Sequence, residues 1–259
     1  MKLTLTYEPG WLTIAGAHLP GPLTVHYLEA YCRAGSTDAD WVKHTVIAHK
    51  TEVLGRQADG SKVRLRDTLA DGVTVLHTLT AKSDVVEFQL TAHNPTDKRS
   101  EAHWAQPCVR LSAFLGLDEK SASNATDYLP RCFVFLDGKP TALPTRDWAT
   151  QGRYTPGQTW CPAHVPRSDV NPRPFSPLVP SNGLIGSVSG DEKWLFATAW
   201  EPYQELFQGV IRCLHSDFRL GGLLPGETKK IRGKLYLVPN DLPALLKRYT
   251  KDFPEHKHP

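Results

Sequence analysis

Residues 86–93 read Val-Glu-Phe-Gln-Leu-Thr-Ala-His and alternate apolar with polar side chains before a turn at Asn94 and Pro95. Successive side chains of a strand point to opposite faces, so this period of two predicts a strand with one buried face. Similar alternating segments recur along the chain between short turn signals, which predicts antiparallel hairpins. Because strand and helix patterns do not alternate, we predict an all-β, antiparallel β-sandwich rather than a parallel sheet.

Two segments depart from this pattern. Residues 138–182 contain nine prolines, which cannot donate to a strand ladder, and we predict a long irregular Pro-rich loop there. Such a loop serves either as a functional lid or as a cover over an open sheet edge. Residues 241–253 carry an apolar stripe at helical spacing after a capping Asn240 or Asp241, which predicts a C-terminal helix. We predict one domain over residues 1–259.

The composition excludes several classes of protein. Hydrophobic residues make up 40% of the 259-residue chain, and a net charge of +3 is too small to indicate nucleic-acid binding. No apolar run is long enough to span a membrane, and the N-terminus alternates like a strand rather than a signal peptide. We therefore expect a soluble protein, either cytoplasmic or secreted after removal of a signal. The five widely spaced cysteines favour a reduced protein, with one disulfide as the alternative.

A polar row ends the segment that follows Leu206. Strand parity places Cys213, His215, Asp217 and Arg219 on one face. Histidine exchanges a proton near neutral pH, and a carboxylate on the same face orients it. We predict His215 as a catalytic base, Asp217 as its partner, and Arg219 as the cation for a substrate carboxylate or a developing enolate. The alternative is a structural row of ion pairs.

The same parity, applied to residues 24–33, places Tyr27, Glu29, Tyr31 and Arg33 on one face. Aromatic rings cover the C–H faces of sugars, and charged groups bind sugar hydroxyls or carboxylates. We predict Glu29 as a catalytic carboxylate, with the two tyrosines and the arginine as substrate-binding residues. The alternative is a solvent-exposed face with a cross-strand ion pair.

A third alternating segment places Trp104, Gln106 and Arg110 on one face. We predict that Trp104 and Gln106 bind a sugar, with core packing of the indole as the alternative. His49, on a neighbouring segment, is predicted to reach the same cleft.

Metal and cofactor signals are weak in this sequence. Cys161 and His164 have the side chains of metal ligands, but no second pair stands at a matching spacing. No cofactor is therefore predicted. The eleven histidines leave open a metal site assembled from distant strands.

Two motifs resemble the galactose-mutarotase-like supersandwich class. Residues 88–104, Phe-Gln-Leu-Thr-Ala-His-Asn-Pro-Thr-Asp-Lys-Arg-Ser-Glu-Ala-His-Trp, give a strand, an Asn-x-Thr-Asp turn and a return strand with a histidine near its end. Residues 224–228, Leu-Pro-Gly-Glu-Thr, precede the strand pattern Gly-Lys-Leu-Tyr-Leu. This class holds aldose epimerases and the β-domains of polysaccharide lyases and glycosidases. The resemblance implies a supersandwich fold and a sugar substrate.

The segment from Glu201 to Gln204, Glu-Pro-Tyr-Gln, is similar to the aldose-epimerase segment that contains the catalytic glutamate. This resemblance implies Glu201 as a general base and His103 as the partner of a ring oxygen or hydroxyl.

Three functions follow as alternatives. The first is a carbohydrate-active enzyme that works by proton transfer, either epimerase-like or mutarotase-like, or a lyase on a uronate or keto sugar. The second is a non-catalytic carbohydrate-binding or accessory domain. The third is a glycoside hydrolase with two carboxylates drawn from Glu29, Glu201, Glu205 and Asp217. In each case the expected partner is a mono-, oligo- or polysaccharide, with no nucleic acid and no membrane.

Overall fold

The chain folds into two antiparallel sheets that pack face to face. A computed structural model describes residues 2–35, 40–118, 127–143, 159–169, 176–209 and 211–256. Within these ranges one sheet has eight strands and the other has nine. The predicted all-β antiparallel sandwich is therefore confirmed.

The eight-stranded sheet places the predicted polar row in its interior. In spatial order the strands are β1 (Thr4–Glu8), β2 (Trp11–Ala15), β3 (Leu23–Arg33), β9 (Ala102–Arg110), β16 (Cys213–Arg219), β15 (Tyr203–Gln208) and β12 (Thr159–Trp160), with β4 at Val46–Ile47. The polar row is on β16, which lies between β9 and β15, and β4 pairs with β3 outside the main order.

The nine-stranded sheet contains the segment with the clearest alternation. This segment is β8 (Val85–His93), in which Val86, Phe88, Leu90 and Ala92 are buried as predicted. In spatial order the strands are β11 (Lys139–Ala142), β10 (Cys132–Leu136), β13 (Ile185–Val188), β14 (Trp194–Glu201), β17 (Thr228–Pro239), β8 (Val85–His93), β7 (Thr74–Ala81), β6 (Lys62–Leu69) and β5 (His49–Arg56).

The main core lies between the two sheets, and Trp200 links them at its centre. Its ring lies 5.0 Å from the ring of Phe88 in the same sheet and 4.8 Å from the ring of Phe218 in the other. Gly233 stands opposite Trp200 in the β14–β17 ladder, where it leaves space for the indole. Residues from both sheets thus share one core, while the single domain over 1–259 stays a prediction.

The predicted C-terminal helix is present as α2, Leu242–Asp252, after a short α1 at Ser112–Leu115. The Asp241 side chain caps α2 by accepting a 2.9 Å hydrogen bond from the Ala244 backbone N–H. Leu245 and Tyr249 pack against the outer face of the nine-stranded sheet. Neither these helices nor the short helical turns in the described ranges have the length and apolarity to cross a lipid bilayer.

The Pro-rich stretch 138–182 is less irregular than predicted where it is described. It contains β11 and β12 and a 3₁₀ turn at Arg167–Asp169. Strand β12 pairs with β15 and so extends the eight-stranded sheet. Residues 144–158 and 170–175 lie outside the described residues.

The contact between Gly233 and Trp200 can be tested by Gly233→Ala. A Cβ on Gly233 would lie 2.4 Å from the Trp200 ring, so we expect overpacking to lower the free energy of unfolding by about 1–3 kcal/mol. Urea denaturation followed by tryptophan fluorescence measures this change. The control is Gly55→Ala, because a Cβ there meets no atom within 4 Å, and we expect a change under about 1 kcal/mol. Equal stability of the two variants would contradict the packing described here.

Candidate functional site

The outer face of the eight-stranded sheet holds the polar row of β16. Leu214 and Phe218 point into the core, so His215, Asp217 and Arg219 point away from it. In the β9–β16 ladder Cys108 stands opposite His215, and Trp104 stands opposite Arg219. Directly opposed residues share a face. The structure therefore brings together His215, Asp217, Arg219 and Trp104 on one face. Gln106 lies on the same face of β9, two residues after Trp104.

Most of this face is closed to solvent. Asp217 and Trp104 are fully buried, and His215 and Gln106 each have 2% of their surface exposed to solvent. The His215 ring stacks on Phe207 at 4.1 Å, and its Nδ1 lies 3.6 Å from the Asp217 carboxylate. Packing therefore fixes the position of the His215 ring. The indole of Trp104 has no exposed surface on which a sugar could stack.

A second buried carboxylate adjoins the row. Glu205 on β15 stands directly opposite Asp217 on β16, and both are fully buried. Among the four carboxylates predicted for a glycoside hydrolase, Glu205 and Asp217 are thus the two that stand opposite each other, in the β15–β16 ladder.

Arg219, at the open end of the polar row, belongs to a cluster with His103, Asp169 and Gln204, here called the Asp169 cluster. The Asp169 Oδ2 atom lies 3.0 Å from His103 Nδ1 and 2.7 Å from Arg219 Nη1. Arg219 also donates a 2.5 Å hydrogen bond to Gln204 Oε1, and Gln204 donates one of 2.6 Å to the Asp169 carbonyl. Burial raises the Asp169 pKa, but hydrogen bonds and charge from His103 and Arg219 outweigh burial and hold this pKa below its usual value.

Gly222 allows the close packing at this end. A Cβ on Gly222 would lie 2.6 Å from His103 Nε2, and its φ of +70° favours glycine. On the neighbouring Gly221, a Cβ would lie 3.6 Å from Lys229 Nζ and 4.0 Å from Arg219 Nε. Burial lowers the Lys229 pKa, and the charge of Arg219 lowers it further. Gly221 and Gly222 thus stand between the His103 imidazole and the half-buried Lys229 amine.

An exposed aromatic patch lies further along the same sheet. Trp11 is 40% exposed and stacks on His26 with 4.7 Å between ring centroids. The Arg110 guanidinium lies 5.6 Å from the Trp11 ring centroid. Burial lowers the His26 pKa, while the nearby charge of Glu29 raises it and that of Arg110 lowers it. Glu29 is exposed, and with Trp11, His26 and Arg110 it forms what we call the Trp11 patch.

Three possible metal ligands meet on the same face, toward the Cys213 end of β16. The ligand atoms of Cys108, Cys213 and His215 all lie within 4.8 Å of one another. This cluster, here called the thiol–imidazole cluster, is buried. Burial and the neighbouring Cys213 raise the pKa of the Cys108 thiol well above its usual value.

The predicted positions of Tyr27 and Tyr31 on a sugar-binding face are wrong. Both lie between the sheets, where the Tyr27 hydroxyl lies 2.8 Å from His77 Nδ1 and Tyr31 donates a 2.6 Å hydrogen bond to Asp67. His77 Nε2 completes this Asp67 network at 3.1 Å from the same carboxylate. The two tyrosines do share one face of β3, but this is the face that Val25 places in the core, where buried partners satisfy both hydroxyls.

Two further substrate-binding predictions are corrected by the structure. The His49 ring lies edge-on to Tyr31 at 5.0 Å, beside the Asp67 network rather than on the outer face. Arg33, beyond an irregularity of β3, donates a 2.7 Å hydrogen bond to Glu101 and one of 2.6 Å to the Val46 carbonyl. Neither side chain therefore joins His215 and Asp217.

Glu201 lies on the other sheet from the polar row. It stands opposite Arg232 in β17, and its carboxylate lies 2.7 Å from His256 Nε2. His256 in turn hydrogen-bonds the Tyr249 hydroxyl. Glu201 borders a groove of about 560 Å³ that includes Lys230 and Arg232. The structure therefore does not bring Glu201 together with His215.

The residue that the sequence reasoning missed is Asp169. It comes from the Pro-rich stretch, 66 positions from His103 in sequence, and no local pattern marks it as the partner of that histidine.

No protein-family model matches the chain, and no curated protein matches its sequence. Among solved structures, a putative aldose 1-epimerase from Escherichia coli K12 is 9% identical with a TM-score of 0.48, and the alignment covers 91% of this chain and 98% of that one. A galactose mutarotase-like protein from Lactobacillus casei ATCC 334 is 10% identical with a TM-score of 0.45, covering 91% and 99%. A galactose 1-epimerase from Lactobacillus acidophilus NCFM is 9% identical with a TM-score of 0.42, covering 93% and 100%. The descriptions belong to the class that the sequence resembles, and similarity of this degree carries no argument about reaction or substrate.

The Asp67 network predicts acid-sensitive stability. Burial raises the Asp67 pKa, but the charge of His77 and hydrogen bonds from His77, Thr51 and Tyr31 lower it to about 2. An unfolded aspartate has a pKa of about 3.9, so this stabilisation is present above that pH and is lost as pH falls toward about 2. We expect the difference in free energy of unfolding between wild type and Asp67→Asn to shrink by roughly 2 kcal/mol between about pH 5 and about pH 2.

Urea titrations at each pH measure this difference. Asp97→Asn is the control, because Asp97 is exposed and should give a difference that does not change with pH. A constant difference for Asp67→Asn as well would show that Asp67 is not ion-paired in the folded state.

Proposed function

We propose that this chain is a carbohydrate-active enzyme of the epimerase or mutarotase type, with His103 as its general base. The observation that carries the proposal is the shared Asp169 Oδ2 atom, 3.0 Å from His103 Nδ1 and 2.7 Å from Arg219 Nη1. An orienting carboxylate, an imidazole and a fixed cation thus stand within hydrogen-bond distance at the open end of the face.

The Asp169 carboxylate determines which nitrogen of His103 acts. A carboxylate that accepts a hydrogen bond from Nδ1 keeps the proton there, so Nε2 is the basic nitrogen. The His103 side chain is 19% exposed, and Gly222 lacks the Cβ that would press on Nε2. This arrangement supports removal of a proton from a sugar hydroxyl. His215 is less suited to that role because it is almost fully buried.

The charge balance favours a neutral sugar over a uronate. Arg219 already contacts the Asp169 carboxylate and Gln204 Oε1, so a substrate carboxylate would have to displace one of them. A lyase needs its arginine for that carboxylate, whereas an epimerase or mutarotase needs an acid and a base near the ring oxygen. Lys229, whose pKa burial and Arg219 lower, stands at Gly221 as the proposed proton donor.

The test is the rate of anomer interconversion for a panel of neutral aldoses, measured by NMR exchange spectroscopy. We expect catalysis above the buffer rate for at least one aldose, and a loss of about 100-fold or more in His103→Gln. Asp169→Asn should also lower the rate and shift its pH profile, because it alters the tautomer of His103. The control is His44→Gln, since His44 is exposed on a different segment.

Two results would overturn the proposal. One is catalysis that His103→Gln leaves unchanged. The other is an absence of exchange with every aldose, together with a new ultraviolet band from an unsaturated product on a uronide polymer.

The Trp11 patch favours a second candidate, a non-catalytic carbohydrate-binding domain. Trp11 is exposed beside Arg110 and Glu29, and aromatic rings stack on sugar C–H faces. Calorimetry with oligosaccharides separates the two functions. Binding that Trp11→Ala abolishes and His103→Gln preserves, with no turnover by any variant, would support the binding domain instead of the enzyme.

A further inference from the structure

Three metal-ligating side chains converge across two neighbouring strands. Cys213 and His215 are two residues apart on β16 and so lie on the same face. Cys108 on β9 stands directly opposite His215. Their ligand atoms lie within 4.8 Å of one another, and no residue of the three is more than 2% exposed.

The distances fit a single tetrahedral ion. With metal–sulfur bonds of about 2.3 Å and metal–nitrogen bonds of about 2.0 Å, tetrahedral ligands stand about 3.5 Å apart for S and N and about 3.8 Å apart for two S. Cys213 Sγ lies 3.5 Å from His215 Nε2, and the Cys108 thiol is within hydrogen-bond reach of Cys213. An ion can therefore enter with little movement of the side chains.

Surrounding residues hold the ligands in place. Phe207 stacks on the His215 ring, and the Asp217 carboxylate lies on its Nδ1 side, which leaves Nε2 toward the thiols. A Cβ on Gly209 would lie 2.0 Å from Cys213 Sγ, so glycine provides the room for that sulfur. The Tyr128 hydroxyl lies within hydrogen-bond distance of the carbonyl oxygens of Gly209 and Cys213, and so ties these two residues together.

We propose that Cys108, Cys213 and His215 bind a zinc ion. Two thiolates and an imidazole are the ligands that Zn²⁺ prefers, and two thiolates balance its charge in a buried position. These three side chains supply three of the four positions of a tetrahedral site. The ion would join β9 to β16 near the Cys213 end of the strand, away from Arg219 and the Asp169 cluster.

The experiment uses the full chain, purified reduced and without chelator. Elemental analysis should find about one zinc per chain, and Co²⁺ should bind with a thiolate charge-transfer band and the intense visible bands of a tetrahedral site. Added Zn²⁺ should also raise the thermal midpoint of the metal-free protein, because the ion binds only the assembled ligands.

Cys108→Ser, Cys213→Ser and His215→Gln should each weaken Co²⁺ binding by more than about 10–100-fold, since second-shell changes alone cost that much. Cys132→Ser is the matched control, because Cys132 is buried on the nine-stranded sheet. His103→Gln should retain metal binding even though the proposed activity depends on His103. Circular dichroism checks that each variant is folded.

Two results would overturn the proposal. One is the absence of stoichiometric Zn²⁺ or Co²⁺ uptake by a protein in which all five thiols titrate after denaturation. The other is a disulfide between Cys108 and Cys213, detected by mass spectrometry after purification without reductant, that persists when Zn²⁺ is present.

Discussion

The position of every candidate functional group depends on the packing of β16 against the core. Leu214 and Phe218 point inward, and Phe218 contacts Trp200 of the opposite sheet. This packing fixes the parity of the strand, so His215 and Asp217 must point outward. The ladders with β9 and β15 then determine which side chains stand beside them. A slip of one residue would bury the arginine and expose the phenylalanine.

Alternation of side chains was sufficient to predict the two-sheet fold and the faces of β8 and β16, because both are regular strands with one apolar side. It was insufficient for β3, because this strand buries residues on both faces and alternation does not show which face lies between the sheets. Aromatic residues with a hydroxyl also suit either face, and only the distant Asp67 and His77 decide that Tyr31 is buried. Partners this far apart in sequence leave no local pattern.

The outer face of the eight-stranded sheet is divided into two chemical environments. At its open end, the Asp169 carboxylate contacts both Arg219 and His103, and the His103 side chain is partly exposed. Deeper along the same strand, His215 lies with two thiols and is shielded by Phe207. The two histidines therefore differ in what they can do. One suits proton exchange and the other suits coordination, because exposure and neighbours differ.

The order of strands also constrains how the molecule forms. β17, the last strand in the described part of the chain, lies between β14 and β8 in the interior of the nine-stranded sheet. The strands β9 and β16, which together hold the thiols, are separated by about a hundred residues, and such long-range pairings slow folding. A nascent chain that ends before Thr228 leaves the edges of β8 and β14 open. Assembly of the outer face consequently waits until β16 has been synthesised, and a chain that stops before β17 exposes two edges that invite intermolecular pairing.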